Sequence, residues 1–187
     1  TQATDAPVEI TGFDWVPDFA KGFVRDLRPR WACEEIGLDY DMRLLDATAP
    51  RPDSYYHEQP WGQVPVLTDR ESGLDLFESG AILLHLGEKD ERLLPRDPHG
   101  RAQAISWLFA AYNSVEPMMM ELATIDLFAA GEPWAELRRP SLMEFAGQRF
   151  DRLAAGIAGR DWLAGQFSVA DIAMTTVLRQ AEGSGLI

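Results

Sequence analysis

The sequence predicts an α/β domain with a mixed four-stranded sheet, followed by an all-α domain. Segments with strand and helix patterns alternate in residues 7–88 in the order β-α-β-β-β-α, which is typical of a layered α/β domain. Residues 89–100 are charged and contain two prolines, so we expect a linker there. Residues 101–187 show only the helical spacing of apolar side chains, and they predict a helical domain without strands.

Alternation of apolar and polar residues, bounded by turn residues, predicts the strands. The four predicted strands are residues 8–15, 40–45, 64–68 and 74–77. The last two flank a short polar turn, so we expect them to pair as a hairpin. One helix is predicted over residues 29–36, where Pro29 suits a first turn and Gly37 a C-terminal stop. A second is predicted over residues 78–88.

Apolar residues at helical spacing predict three helices in the second half. The first covers residues 105–115, and Pro117 is expected to bend or interrupt it. The second covers residues 137–158 and the third residues 168–181. Ser168, followed three residues later by Asp171, predicts a capping box at the start of the third helix.

Composition, charge and residue spacing disfavour several classes of partner. The 187 residues carry 30 acidic and 17 basic side chains, a net charge of −13, which disfavours nucleic acid and anionic membranes. No stretch reaches the roughly 20 apolar residues that span a bilayer. Cys33 is the single cysteine, so no internal disulfide forms, which is compatible with a reducing cytosol. His57, His85 and His99 lack metal-ligand spacing, so no metal site is predicted.

Residues 61–80 carry the strongest functional signal. Pro65 opens an apolar run after Gln63 and Val64, and Glu78-Ser79 begins a helix about ten residues later. A helix start has unpaired N–H groups and a positive partial charge. We expect Ser79 to cap the helix and donate to a carboxylate, and Glu78 to receive an ammonium group. Without the proline segment, the same pair would be an ordinary helix cap.

The segments 62–67 and 78–82 together resemble the glutathione-binding half of cytosolic, bacterial-type glutathione S-transferases. The segment 163–173, with the predicted capping box, is similar to a buried capping box in the helical domain of that family. The resemblance implies a thioredoxin-like domain in 7–88, a cis peptide bond before Pro65, and pairing of the Val64 main chain with the cysteinyl part of glutathione. The implied glutathione-binding residues are Gln63, Val64, Pro65, Glu78 and Ser79.

The segment after the first strand differs from the family pattern. Family members activate the glutathione thiol with a Ser, Tyr or Cys there, whereas residues 15–28 contain none of these, nor a Thr. Lys21 or Arg25 is our candidate catalytic residue, because a cation stabilises a thiolate. The alternative is that both are surface charges. Cys33 lies inside a predicted helix, where a buried structural thiol is the simpler interpretation than a nucleophile.

The resemblance implies further properties of the whole protein. The family places its hydrophobic substrate beside the first helix of the second domain, so Tyr112, Asn113 and Met119 are candidates for a substrate pocket, with helical core as the alternative. Glutathione is the implied co-substrate, with no metal and no membrane partner, in a cytoplasmic homodimer. Family members continue with one or two helices beyond the point that corresponds to Ile187.

Two functions follow from this comparison. The first is an enzyme that adds the glutathione thiolate to small apolar electrophiles, or uses it in thiol-dependent reduction. The alternative is a catalytically weak, glutathione transferase-like binding or scaffold protein, because the usual activating side chain is missing. A third interpretation is an unrelated α/β protein with chance motifs. Chance would then have to produce two separate motifs in the order in which the family has them.

Overall fold

The computed structural model describes residues 5–187, and the chain divides into two compact units between Leu94 and Pro95. In chain order, the first unit contains β1 (Val8–Phe13), α1 (Leu27–Ile36), β2 (Tyr40–Leu45), α2 (Tyr55–Glu58), β3 (Val66–Asp69), β4 (Leu74–Phe77) and α3 (Ser79–Lys89). A short 3-10 turn, Asp18–Ala20, lies between β1 and α1.

The four strands form one mixed sheet in the order β2-β1-β3-β4. The β1–β2 pair is parallel, whereas the β1–β3 and β3–β4 pairs are antiparallel. The predicted mixed four-stranded sheet and its hairpin are therefore confirmed. Its buried apolar side chains and those of α3 form the core of this unit: Val8, Ile10, Val66, Leu67, Ile82, Leu83 and Leu86.

Gly37 ends α1 as the sequence predicts. It adopts φ 68° and ψ 32°, and its N–H bonds to the carbonyl oxygens of Cys33 and Glu34. This left-handed conformation is readily available to glycine and satisfies carbonyl groups at the helix end. The helix begins at Leu27, two residues before the predicted start at Pro29. Pro29 still lies in the first turn, where an N–H group has no intrahelical partner, so the missing N–H of proline is tolerated there.

Asp69 joins the β3–β4 turn to α3. Its side chain is buried and accepts hydrogen bonds from the N–H groups of Glu71 and Ser72. His85 Nε2 lies 2.6 Å and Lys89 Nζ 2.8 Å from its Oδ2 atom. Burial by itself would raise the pKa of Asp69, but the hydrogen bonds from Lys89 and His85 outweigh it and hold that pKa well below its usual range.

The second unit consists of helices joined by loops and turns. It contains α4 (Pro98–Ala110), α5 (Glu116–Ala123), α6 (Pro133–Ile157) and α7 (Val169–Leu178), with π-helical segments at Ala111–Val115 and Thr124–Phe128. Residues 95–187, all of which are described, contain no strand, as predicted. Pro117 lies in the first turn of α5, so the expected interruption near this proline is confirmed.

The boundary between the units falls inside the predicted linker 89–100, and helices extend into both ends of that segment. The helix α3 continues to Lys89, and α4 already begins at Pro98, where the Asp97 side chain accepts a hydrogen bond from Gly100 N–H at 2.7 Å. Proline at a first helical position needs no N–H partner, which explains this early start. The division into residues 7–88, 89–100 and 101–187 stays a prediction.

The capping box at α7 is confirmed. Ser168 Oγ accepts a hydrogen bond from Ala170 N–H, and Asp171 Oδ2 accepts one from Ser168 N–H at 2.9 Å. The second carboxylate oxygen of Asp171 accepts from Leu163 N–H at 3.0 Å, so this side chain also fixes the segment before the helix. Every helix among the described residues is too short or too polar to span a bilayer.

Candidate functional site

The hairpin register brings the two predicted glutathione motifs to one end of the sheet. Val66, the first residue of β3, pairs with Phe77, the last residue of β4. In an antiparallel pair, the residue before one strand and the residue after the other lie at the same end. The Val64-Pro65 loop and the Glu78-Ser79 helix start are therefore neighbours, although 14 positions separate Val64 from Glu78.

The Val64-Pro65 loop is held in place on both sides. The peptide bond between Val64 and Pro65 is cis, as the resemblance implies. On one side, the Tyr55 hydroxyl donates to the Gln63 carbonyl oxygen at 2.6 Å. On the other, Val66 N–H donates to Thr11 Oγ1 at 2.6 Å. The main-chain groups that flank this dipeptide are thus satisfied by side chains.

Thr11 and Tyr55 form one connected hydroxyl pair. Their oxygens are 3.2 Å apart, and the two residues are 1% and 2% exposed. Burial raises the pKa of Tyr55, so its hydroxyl keeps the proton that it donates to Gln63. Thr11 comes from β1 and Tyr55 from α2, and sequence reasoning identified neither, because no local pattern links residues 44 positions apart.

The main chain of Val64 is left for another partner. Within residues 5–187, neither its N–H nor its carbonyl group takes part in an intramolecular hydrogen bond. The Val64 side chain is buried at 7% exposure, whereas the neighbouring Gln63 is exposed. An extended main-chain segment of a ligand finds here one donor and one acceptor, as in the addition of a strand to a sheet edge.

Glu78 occupies the N-cap position of α3 in a conformation rare for a non-glycine residue. Its φ is 67° and its ψ 114°, and among residues 5–187 no other non-glycine residue has a positive φ. Such backbone geometry costs on the order of 1–3 kcal/mol and is concentrated at functional sites. The side chain of Glu78 is exposed, so its carboxylate is accessible to a ligand.

The prediction that Ser79 caps α3 is wrong. Ser79 is the first helical residue, and the helix start has no side-chain cap hydrogen bond. Its oxygen instead accepts a hydrogen bond from Arg28 Nη1 at 3.0 Å, and the two residues are 6% and 2% exposed. Ser79 does not cap because the N-cap position, from which a side chain reaches the first-turn N–H groups, belongs to Glu78. Sequence reasoning did not identify Arg28.

The segment before α1 lines a small open pocket of about 170 Å³. Its lining contains Phe13, Val16, Lys21, Gly22, Val24, Asp26, Leu27 and Arg30. Asp26 is 7% exposed, and its Oδ2 lies 3.2 Å from Arg30 Nη1. Burial raises the pKa of Asp26 and outweighs the opposing effect of Arg30.

The two candidate catalytic cations lie in different surroundings. Lys21 lines the pocket, is exposed and pairs with Asp18 at 2.6 Å. Arg25 is half-buried and is not part of the pocket lining. Either role stays a prediction.

Cys33 has the properties of a structural thiol. It is fully buried in α1, and burial raises its pKa to about 12. A thiol with that pKa is almost entirely protonated at neutral pH and therefore a poor nucleophile. Among residues 5–187, no cluster of three or more His, Cys, Asp or Glu side chains is arranged to hold a metal ion.

The three candidate substrate-pocket residues lie in the second unit with different exposures. Tyr112 is half-buried and Asn113 exposed, both in the π-helical segment Ala111–Val115. Met119 in α5 is 1% exposed and belongs to the helical core, which was the alternative interpretation. The assignment of the three to a pocket stays a prediction.

These features define the class of two-domain proteins with an N-terminal thioredoxin-like domain and a helical second domain. A family model for the glutathione S-transferase N-terminal domain matches residues 19–88. The chain is 32% identical over 148 residues to glutathione S-transferase F10 of Arabidopsis thaliana, covering 74% of this chain and 68% of that protein. The chain belongs to the glutathione S-transferase family.

Two other relatives are informative. The disulfide-bond oxidoreductase YfcG of Escherichia coli is 29% identical over 157 residues, which cover 75% of this chain and 68% of that protein. A glutathione transferase from Burkholderia graminis, solved with two glutathione molecules per subunit, superposes with a TM-score of 0.82 at 27% identity and covers 97% of this chain and 75% of that one. The expected family, the fold class and the assignment of the chain as a glutathione transferase are confirmed.

Proposed function

We propose that glutathione binds across the neighbouring Val64-Pro65 loop and Glu78-Ser79 helix start. The observation that carries this proposal is the Val66–Phe77 register, which supports one contiguous site. The cysteinyl residue pairs with the main chain of Val64, and Pro65 bounds the edge. The exposed Gln63 side chain adds a polar contact. The glutathione bound to the Burkholderia graminis transferase supports the choice of ligand.

The γ-glutamyl group of glutathione fits the charges at the start of α3. Its α-carboxylate accepts from the Ser79 hydroxyl and from first-turn N–H groups, where the helix carries a positive partial charge. Its α-ammonium group pairs with the exposed Glu78 carboxylate. Each interaction is charge-assisted and therefore stronger than a neutral hydrogen bond.

The bound thiol reacts as a thiolate. It either forms a carbon–sulfur bond with a small apolar electrophile, releasing the thiol proton and any leaving group, or attacks a disulfide and releases the other thiol. Lys21 or Arg25 favours the thiolate electrostatically. In the second unit, Tyr112, Asn113 and Met119 stay the candidate residues of the substrate pocket, although Met119 is buried in the helical core. The similarity to a disulfide-bond oxidoreductase favours the reductive route as the second candidate function. A glutathione-binding scaffold with little catalysis is the remaining alternative.

Calorimetric titration with reduced glutathione tests the binding site. We expect Ser79→Ala and Glu78→Gln each to weaken binding by about tenfold or more, because each removes a hydrogen bond to a charged group. Ser72→Ala in the β3–β4 turn and Glu136→Gln in α6, both at exposed positions, are matched controls with wild-type affinity. A folded wild-type protein that takes up no glutathione at millimolar concentration contradicts the proposal.

Turnover assays then separate the enzyme from the scaffold. One assay uses a nitroaryl halide as electrophile and another a small alkyl disulfide, each with glutathione. Binding without turnover in either assay supports the scaffold alternative. If Lys21→Ala and Arg25→Ala both keep the wild-type rate, neither cation activates the thiol.

We also infer a homodimer in a reducing, cytoplasmic setting. Large apolar side chains of the second unit are exposed, among them Phe109 at 52% and Phe145 at 45%, and association would cover such surface. The single buried cysteine needs no oxidising compartment. Light scattering of the purified protein measures the mass, and a monomer at micromolar concentration contradicts the dimer.

A further inference from the structure

The buried contact between Arg28 and Ser79 fixes the direction of one proton. A guanidinium group is always charged and has only donors. The Ser79 oxygen must therefore accept the hydrogen bond from Arg28 Nη1, which measures 3.0 Å. A hydroxyl group that accepts from one side keeps its own O–H bond to donate elsewhere.

Ser79 is the first helical residue of α3, one position after the N-cap residue Glu78. The Glu78 side chain makes no cap hydrogen bond, and the Ser79 oxygen bonds to Arg28. Neither side chain therefore occupies the first-turn N–H groups. Ser79 presents its O–H group as a further donor beside them.

Burial increases the electrostatic influence of this arrangement. Arg28 is 2% and Ser79 6% exposed, so water screens the guanidinium charge less than at a surface. The positive charge polarises the hydroxyl group toward stronger donation, as in other chains of hydrogen bonds. Both effects favour an anion on the open side of Ser79.

We infer that Arg28 is a positioning residue that, through Ser79, makes the site selective for a ligand with a carboxylate on its γ-linked residue. This inference rests on the proposed glutathione site. Arg28 itself does not touch the ligand; it sets the hydroxyl direction and supplies charge behind it. The selectivity is thus divided between a residue of α3 that makes the contact and a residue of α1, 51 positions earlier, that orients it.

The test compares glutathione with γ-aminobutyryl-cysteinylglycine, which is the same tripeptide without the γ-linked α-carboxylate. The ratio of the two dissociation constants, measured by calorimetry, reports recognition of that carboxylate alone. We expect the wild-type protein to prefer glutathione by about tenfold or more. Arg28→Met should reduce the ratio severalfold, toward that of Ser79→Ala, and Arg28→Lys should restore part of it.

A double variant distinguishes positioning from general damage. If Arg28 acts through Ser79, Arg28→Met adds no further loss of preference in the Ser79→Ala background. Arg152→Met, at an exposed position of α6, is the control and should keep the wild-type ratio. If Arg28→Met does not give a cooperative thermal transition, Arg28→Gln takes its place with the same expected reduction.

The possible failures are distinguishable. A wild-type protein that binds neither tripeptide contradicts the proposed function. A wild-type protein with the expected preference, together with a folded neutral variant at Arg28 that keeps all of it, overturns only the role of Arg28. That role is also overturned if Arg28→Met lowers the preference for glutathione equally in the wild-type and Ser79→Ala backgrounds. Arg28 would then not act through the Ser79 hydroxyl.

Discussion

Removing the Tyr55 hydroxyl tests whether the Val64-Pro65 loop is held from behind. In Tyr55→Phe the Gln63 carbonyl loses a donor at 2.6 Å and Thr11 loses a partner at 3.2 Å. Because Tyr55 is 2% exposed, water does not easily replace its hydroxyl. We expect the free energy of unfolding to fall by about 1–2 kcal/mol.

Thermal unfolding followed by circular dichroism measures this change. For a chain of this size, 1–2 kcal/mol corresponds to roughly 2–8 °C in Tm. Tyr56→Phe is the matched control: the residue is adjacent, is 46% exposed, and its variant should stay within about 0.5 kcal/mol of wild type. Glutathione affinity should fall in Tyr55→Phe and not in Tyr56→Phe.

The reasoning is refuted if the two tyrosine variants have the same Tm and the same affinity for glutathione. Thr11→Val provides a second measurement, because it removes the acceptor for Val66 N–H at 2.6 Å. Since Thr11 and Tyr55 belong to one network, the effects of their two variants should not add. Simple additivity would show that the two hydroxyl groups act independently.

Three further predictions concern buried polar groups. Asp171→Ala removes the acceptor for two N–H groups and should lower the free energy of unfolding, measured in urea, by about 2 kcal/mol. Asp151→Ala, at an exposed position, is the control, and equal urea midpoints for the two variants would contradict the prediction. The lowered pKa of Asp69 means that its charge stabilises the fold above pH about 4 and that this contribution is lost as the pH falls further. Asp69→Asn should therefore be less stable at pH 7 and lose less stability on acidification, and parallel pH profiles would refute this. Cys33, with its pKa raised to about 12, should resist iodoacetamide at pH 8 until urea unfolds the chain, and rapid native labelling would refute its burial.

Local patterns predicted most of the α/β unit. The strands β2 and β4 begin and end where alternation and turn residues indicated, at Tyr40–Leu45 and Leu74–Phe77. The turn residues between β3 and β4 also fixed the hairpin, and through it the proximity of Val64 and Glu78. A site built from two ends of one hairpin is accessible to sequence reasoning because its geometry follows from a short-range register.

The residues behind the site were not predictable in this way. Arg28 contacts a residue 51 positions away and Tyr55 one 44 positions away, and neither carries a local sequence signal. The error at Ser79 is one of position, since local propensity favours serine at an N-cap but the helix starts one residue earlier than that role requires, with Glu78 at the N-cap. The helix α6 also began earlier than predicted, at Pro133, because the apolar periodicity becomes regular only after its first turn.

The π-helical segment Ala111–Val115 determines which side of α5 faces the core. A π-helical turn accommodates an additional residue compared with an α-helical turn, and one residue corresponds to about 100° of rotation. With that residue in place, Met118, Met119 and Leu122 of α5 are all at most 5% exposed. A deletion of one residue here would therefore do more than shorten the chain: it would rotate an apolar stripe toward solvent, so changes in length are tolerated less at this point than in an ordinary loop.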